Sequence, residues 1–173
     1  MKHKAFEIAL SGVSAAIATF CLWLGTINRP LLMTGYLLAT VAMMLPLSQR
    51  FVWGGVMAYV ASSLLAFLLG GGGFFWRLLP YIAFFGLHPL ANYLQLKWNV
   101  NRYVAYIVKA LWFDGMLVLL WFFVCGGEVP LEYINQIIWW LIFVGGTALF
   151  YVYDYLMFAC QITVNRIIRK IKR

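Results

Sequence analysis

Apolar residues run along this chain in long blocks, and short polar clusters interrupt them. Six blocks stand out, and they predict helices at about 6–26, 31–47, 51–69, 78–96, 103–125 and 136–163, with a basic tail over 164–173. Most are as long as the roughly 18–20 apolar residues that cross a bilayer as a helix. The interruptions have the chemistry of ends. Arg29-Pro30 is a turn, Ser48-Gln49-Arg50 is a tight polar loop, and the four glycines Gly70 to Gly73 stop the third block. Lys97 to Arg102 and the acidic stretch Gly126 to Asn135, with Glu128 and Glu132, separate the last three. The expected fold is all-α: a polytopic membrane protein, built as one six-helix bundle over 1–173.

Composition narrows the class. The 173 residues are 65% hydrophobic and 10% charged, with mean hydropathy +0.88. A soluble domain is about half apolar and about a quarter charged, so a soluble fold is excluded. The first block is longer than the 7–15 apolar residues of a signal peptide, and INRP follows it rather than a small-residue cleavage site. It is expected to stay as a helix.

The formal charge of +8 would suggest nucleic acid in a soluble protein. Here the basic residues sit at block ends, where they orient the chain instead. With both termini cytoplasmic, the inner side collects Lys2, Lys4, Arg50, Lys97, Arg102, Arg166, Arg169, Lys170, Lys172 and Arg173. The outer side holds only Arg29 and Arg77. That asymmetry satisfies the positive-inside rule at every inner loop. The expected location is a bacterial cytoplasmic membrane with both ends inside, lipid as a partner and nucleic acid not.

Four polar side chains lie within blocks that should span: His88, Asn92, Lys109 and Asp114. Lipid offers such groups no partner, so each is a candidate for function. His88 and Asp114 both fall near the expected midplane of neighbouring helices. They form either a substrate or proton site, with Trp112 nearby, or a buried pair that locks two helices. Lys109 and Asp154 lie at similar depth and are expected to form a structural ion pair. Pro89 removes a backbone donor, and Asn92, one turn on, is a candidate for the carbonyl it frees, or for a ligand. Small residues recur at helical spacing in the first block: Ala5, Ala9, Gly12 and Ala16, with Ala15 beside them. Such stripes admit close helix packing, either inside the bundle or against a separate membrane partner.

Signatures of catalysis are missing. No HExxH, GxSxG, Cys/His cluster or nucleotide loop occurs, and the glycine run lacks the following Gly-Lys-Ser/Thr of a P-loop. The expectation is a non-enzyme with no cofactor and no metal ligand set. Cys21, Cys125 and Cys160 lie in different blocks without metal-like spacing and are expected to be reduced.

The size, the six blocks, the inside ends and the opening KAFEIALSGVSAAIA together resemble the S components of energy-coupling-factor transporters. That resemblance implies capture of a vitamin or other small micronutrient in an outward-facing pocket. It also implies docking on a transmembrane T component with two cytoplasmic ATPases. The docking face would be Ala5, Ala9, Gly12, Ala15 and Ala16. An outward pocket would draw on Trp76, Arg77, Tyr81, His88, Asn92, Trp112 and Asp114, with Trp139 and Trp140 as lining or as an interfacial belt. The middle of the chain also resembles a family of small bacterial membrane proteins, through FFGLHP (Phe84 to Pro89) and KALWFD (Lys109 to Asp114). Asp114 stands where that family carries asparagine. The alternative is a non-catalytic membrane scaffold of a cell-envelope complex, and a third possibility is a small lipid or proton transporter acting alone.

Overall fold

The computed structural model describes residues 2–70, 75–125 and 137–171, and all regular structure among them is helical. Glu128, Glu132, most of the glycine run, Lys172 and Arg173 lie outside the described residues. Five helices are long and apolar enough to cross a membrane: Lys4–Ile27, Arg29–Ser48, Val52–Leu69, Arg102–Phe123 and Ile137–Lys170. Their outward positions carry large apolar side chains, among them Ile8, Leu38, Trp53, Leu68, Val108, Leu111, Leu149 and Tyr155. That surface suits lipid and would be costly in water.

In chain order the elements are α1 (Lys2–Ile27), a 3₁₀ turn (Arg29–Leu31), α2 (Leu32–Ser48), α3 (Val52–Leu69) and α4 (Phe75–Pro80). A first π segment (Tyr81–Phe85) leads to α5 (His88–Lys97) and α6 (Arg102–Cys125). A second π segment (Leu141–Gly145) opens into α7 (Gly146–Ile171), so the basic tail continues the last helix at least to Ile171. The fourth expected helix, 78–96, is therefore not one rod. It is an α turn, a π turn, a break at Gly86-Leu87 and a new helix that starts at His88.

By its contacts the chain groups into two compact units: Met1–Leu94 with Met157–Arg173, and Gln95–Leu156. In the first, α1 packs on both α2 and α3. Ala18, Leu22, Tyr36, Ala39, Met43, Met44 and Ala58 are among its buried apolar groups. In the second, α6 runs against the start of α7 and its preceding π segment. Phe113 and Tyr106 pack on Phe150, with ring centroids 5.8 and 5.4 Å apart, and Trp121 packs on Trp139 at 5.2 Å.

Prolines organise the first unit. Proline has no N–H, so the carbonyl four residues before it loses its helical donor. Pro30, Pro46 and Pro89 withdraw donors from the carbonyls of Thr26, Ala42 and Phe85. Each of these oxygens is met by a side chain from elsewhere. The Arg77 guanidinium donates to Thr26, Ser14 Oγ to Ala42 at 2.7 Å, and Thr40 Oγ1 to Phe85 at 3.1 Å. In hydrocarbon an unmet carbonyl costs several kcal/mol, so these three bonds are what make the prolines tolerable.

Candidate functional site

The broken segment Phe75–Lys97 is held from two sides. Tyr36 of α2 donates its hydroxyl to the Arg77 carbonyl, and Tyr59 of α3 donates to the Ile82 carbonyl at 2.8 Å. The second bond follows from the π turn. Gly86 N–H reaches back five residues to Tyr81 O at 2.8 Å, and Leu87 N–H goes to Phe84 O at 3.1 Å. Neither goes to Ile82, which Tyr59 takes. Thr40 then covers the Phe85 carbonyl that Pro89 cannot serve. Asn92 was the sequence candidate for that oxygen; Thr40, in the neighbouring helix, reaches it at 3.1 Å. Aromatic contacts fill the space between these bonds. Tyr36 stacks on Phe85 at 5.4 Å, Tyr59 meets Tyr81 at 6.1 Å, and Phe84 meets His88 at 5.2 Å.

Gly86 has a steric reason. A Cβ there would lie 2.7 Å from the Tyr59 ring and 2.9 Å from the Tyr81 ring. The two rings close over bare backbone at the break. His88 and Asn92 follow on α5, both buried, with Pro89 in the first turn where its missing N–H is least harmful.

Two residues expected to line an outward pocket make hydrogen bonds within the first unit. Tyr81 is wholly buried and shares a 3.1 Å hydrogen bond with Ser62 Oγ. Arg77 caps the end of α1, where a cation also meets the negative end of the helix dipole. Trp76 is about half exposed, edge-on to Phe75. An apolar groove of about 350 Å³ opens beside this segment, lined by Tyr59, Val60, Ser63, Leu64, Phe67, Phe75 and Ile82. It includes none of the residues expected to bind substrate. A basic cleft of about 450 Å³ lies near the end of α7, among Ile162, Asn165, Arg166, Arg169 and Lys170.

The second unit holds Lys109, Asp114 and Asp154. Lys109 Nζ lies 2.7 Å from Asp154 Oδ1, with side chains 7% and 13% exposed. The structure thus brings together the pair expected from their similar depth. Five residues along α6, Asp114 is buried and accepts a 3.0 Å hydrogen bond from the Thr147 hydroxyl at Oδ2. Thr147 carried no weight in the sequence, since a lone threonine in an apolar helix has no distinguishing neighbour. Trp112 is partly buried on α6, Trp139 packs on Trp121, and Trp140 is largely exposed. His88 belongs to the first unit and Asp114 to the second.

On α1 the small residues divide by face. Ser14 and Ala18 are buried, while Ala5, Ala9, Gly12 and Ala16 are exposed and Ala15 is partly covered. A Cβ placed on Gly12 would meet no atom within 4 Å. The stripe singled out from the sequence therefore faces away from α2 and α3. Cys21 and Cys160 are free thiols.

No protein-family model, no curated protein and no solved structure matches this chain.

Proposed function

We propose that this is a membrane-embedded capture subunit of an importer resembling energy-coupling-factor systems. It crosses the membrane six times, the broken segment Phe75–Lys97 being the fourth crossing, with both ends inside a bacterial cytoplasmic membrane. It binds a small micronutrient from outside and has no enzyme activity of its own. Its partners are a T component and paired ATPases.

The observation that carries this reading is the discontinuous segment itself. Irregular backbone is tolerated at membrane depth where protein buries it or where it lines a cavity, and discontinuous helices form substrate sites in carriers. His88 and Asn92 follow the break directly and are buried, which makes them the leading candidates for ligand contact, with Trp76 nearer the surface. The outward small-residue face of α1, Ala5, Ala9, Gly12 and Ala16 with Ala15 at its edge, is the proposed docking surface for the T component.

A scaffold role is the second reading. It is favoured by the three bonds that close the carbonyls freed by proline, since these spend polar side chains on holding helix to helix. Co-purification from the native membrane, with mass spectrometry for proteins and small molecules, separates the two. Recovery of a T component, ATPases and a co-eluting metabolite supports the importer. Recovery of wall-synthesis proteins, without ligand or ATPases, would sink it.

A further inference from the structure

The last turns of α7 carry a cationic face. Arg166, Arg169 and Lys170 recur at i, i+3 and i+4, so they share one side of the helix. With Ile162 and Asn165 they line the cleft of about 450 Å³. All three cations are exposed, and none forms a salt bridge among the described residues. The sequence has no Asp or Glu after Asp154. At roughly 100° per residue this face lies opposite Val164 and Ile168, which are buried. Along the axis the same face changes character. Tyr151, Tyr155 and Ile162 precede Arg166 and Arg169 at helical spacing, and they too are exposed. The candidate span Ile137–Lys170 has 34 residues, about 51 Å at ~1.5 Å per residue. The hydrocarbon core is about 30 Å thick, and even a tilt of about 40° leaves such a helix too long for it. The excess leaves the core at the cationic end, because charge in hydrocarbon is costly. Arg166 to Lys170 then rise about 6 Å, which matches the roughly 5–7 Å headgroup layer of one leaflet.

We propose that this cleft binds the phosphate of an anionic phospholipid, whose acyl chains lie against Ile162 and Tyr155. A guanidinium presents a planar fork that pairs with two phosphate oxygens, and Arg166 and Arg169 supply two such forks one turn apart. Lys170 adds a point charge. Asn165 Oδ1 accepts from Gln161 Nε2 at 3.0 Å, which leaves the Asn165 amide hydrogens to donate to the ligand. A zwitterionic headgroup would bring its own cation to the three already there. A soluble anion would use the cations and leave Ile162, which also lines the cleft, without a role. The run from apolar to cationic side chains along one face is matched by an amphiphile with an anionic head. Neither a substrate nor a partner protein enters this assignment, so it stands or falls apart from the importer reading.

The test uses the full chain in a neutral detergent. Phosphatidylglycerol and phosphatidylcholine with the same acyl chains are added in equal amounts, and native mass spectrometry counts the bound lipid. Phosphatidylglycerol is expected to be retained about tenfold over phosphatidylcholine. Asn165→Asp sets a carboxylate among the cations, keeps an acceptor for Gln161 and leaves every basic residue in place. It is expected to cut the preference about fivefold or more. Replacing Arg166, Arg169 and Lys170 together by glutamine is expected to lower it at least as far, and Asn165→Asp keeps the test decisive if that variant fails to insert. Lys97→Gln with Arg102→Gln removes two cations at another helix end and is expected to leave the preference unchanged. An equal loss there would show diffuse attraction to net charge and overturn the site. A preference that Asn165→Asp leaves intact overturns it too. Equal retention of the two lipids overturns the proposal and leaves the face to an acidic protein partner. Glycerophosphoglycerol, the same head without chains, is expected to displace no lipid at equal concentration. Full displacement overturns the lipid by giving the cleft to a soluble phosphate.

Discussion

Thr40 donates its hydroxyl to the Phe85 carbonyl at 3.1 Å, the oxygen whose helical donor would have been the nitrogen of Pro89. The same hydroxyl lies 2.7 Å from Tyr36 O in its own helix, so one hydrogen serves two acceptors. Replacing Thr40 by valine keeps the shape and removes the donor. An unmet buried acceptor costs about 1–3 kcal/mol, and a loss in that range is expected on thermal melting of the protein in nanodiscs. In a Pro89→Ala background an N–H becomes available to Phe85. The Thr40→Val loss should then shrink markedly; an unchanged loss would show that the hydroxyl acts elsewhere.

Ser14 offers the same experiment between α1 and α2. Its Oγ is 2.7 Å from the Ala42 carbonyl, which Pro46 deprives of a donor. Ser14→Ala is expected to cost about 1–2 kcal/mol, with most of that recovered when Pro46 is also replaced by alanine. The readout is the Tm of the single variants against that of the double.

Breaking the Lys109–Asp154 pair from one side should be far worse than removing both. Lys109→Met leaves a buried carboxylate facing a thioether, and a loss of about 3–5 kcal/mol is expected. The double variant Lys109→Met with Asp154→Leu should regain most of it. Additive losses across the four proteins of the cycle would show that the two charges do not stabilise each other.

Gly86 tolerates no side chain without moving an aromatic ring. Gly86→Ala is expected to destabilise by about 1–3 kcal/mol, because Tyr59 and Tyr81 would be overpacked. Hydrogen exchange localises the effect: faster exchange should appear around the π turn and spare α6.

Gly12 predicts the opposite pattern. With nothing within 4 Å of its Cβ position, Gly12→Leu should leave Tm within about 0.5 kcal/mol of the parent on the stability scale. Pull-down of a membrane partner should fall sharply in the same variant. Retained capture with leucine in place would place the docking face somewhere else.

Much of this architecture is legible in the sequence, and the reasons differ by feature. Long apolar runs mark the helices because hydrocarbon forces each backbone to satisfy itself over a fixed length. Lys109 and Asp154 were legible because two opposite charges at similar depth have few other partners. The π segments were not, since Tyr81–Phe85 and Leu141–Gly145 contain no local signal that distinguishes them from α-helix. Pro89 announced a freed carbonyl, but Thr40 could be assigned to it only once the helices were placed. The inward bonds of Arg77 and Tyr81 were not legible for a related reason. Position near an interface suggests a pocket rim, whereas their polar ends turn inward to Thr26 and Ser62.

The second π segment also works as a phase shifter. A π turn holds one more residue than an α turn, and an α-helix advances about 100° per residue. Trp139 before it and Thr147 after it would face different directions on an uninterrupted helix. With the extra residue absorbed, Trp139 meets Trp121, Thr147 meets Asp114 and Asp154 meets Lys109, all along one flank of α6. Deleting a single residue between Leu141 and Gly145 would return that turn to α geometry with both ends of the flank still facing their partners, whereas straightening it to α geometry at full length would turn one end away.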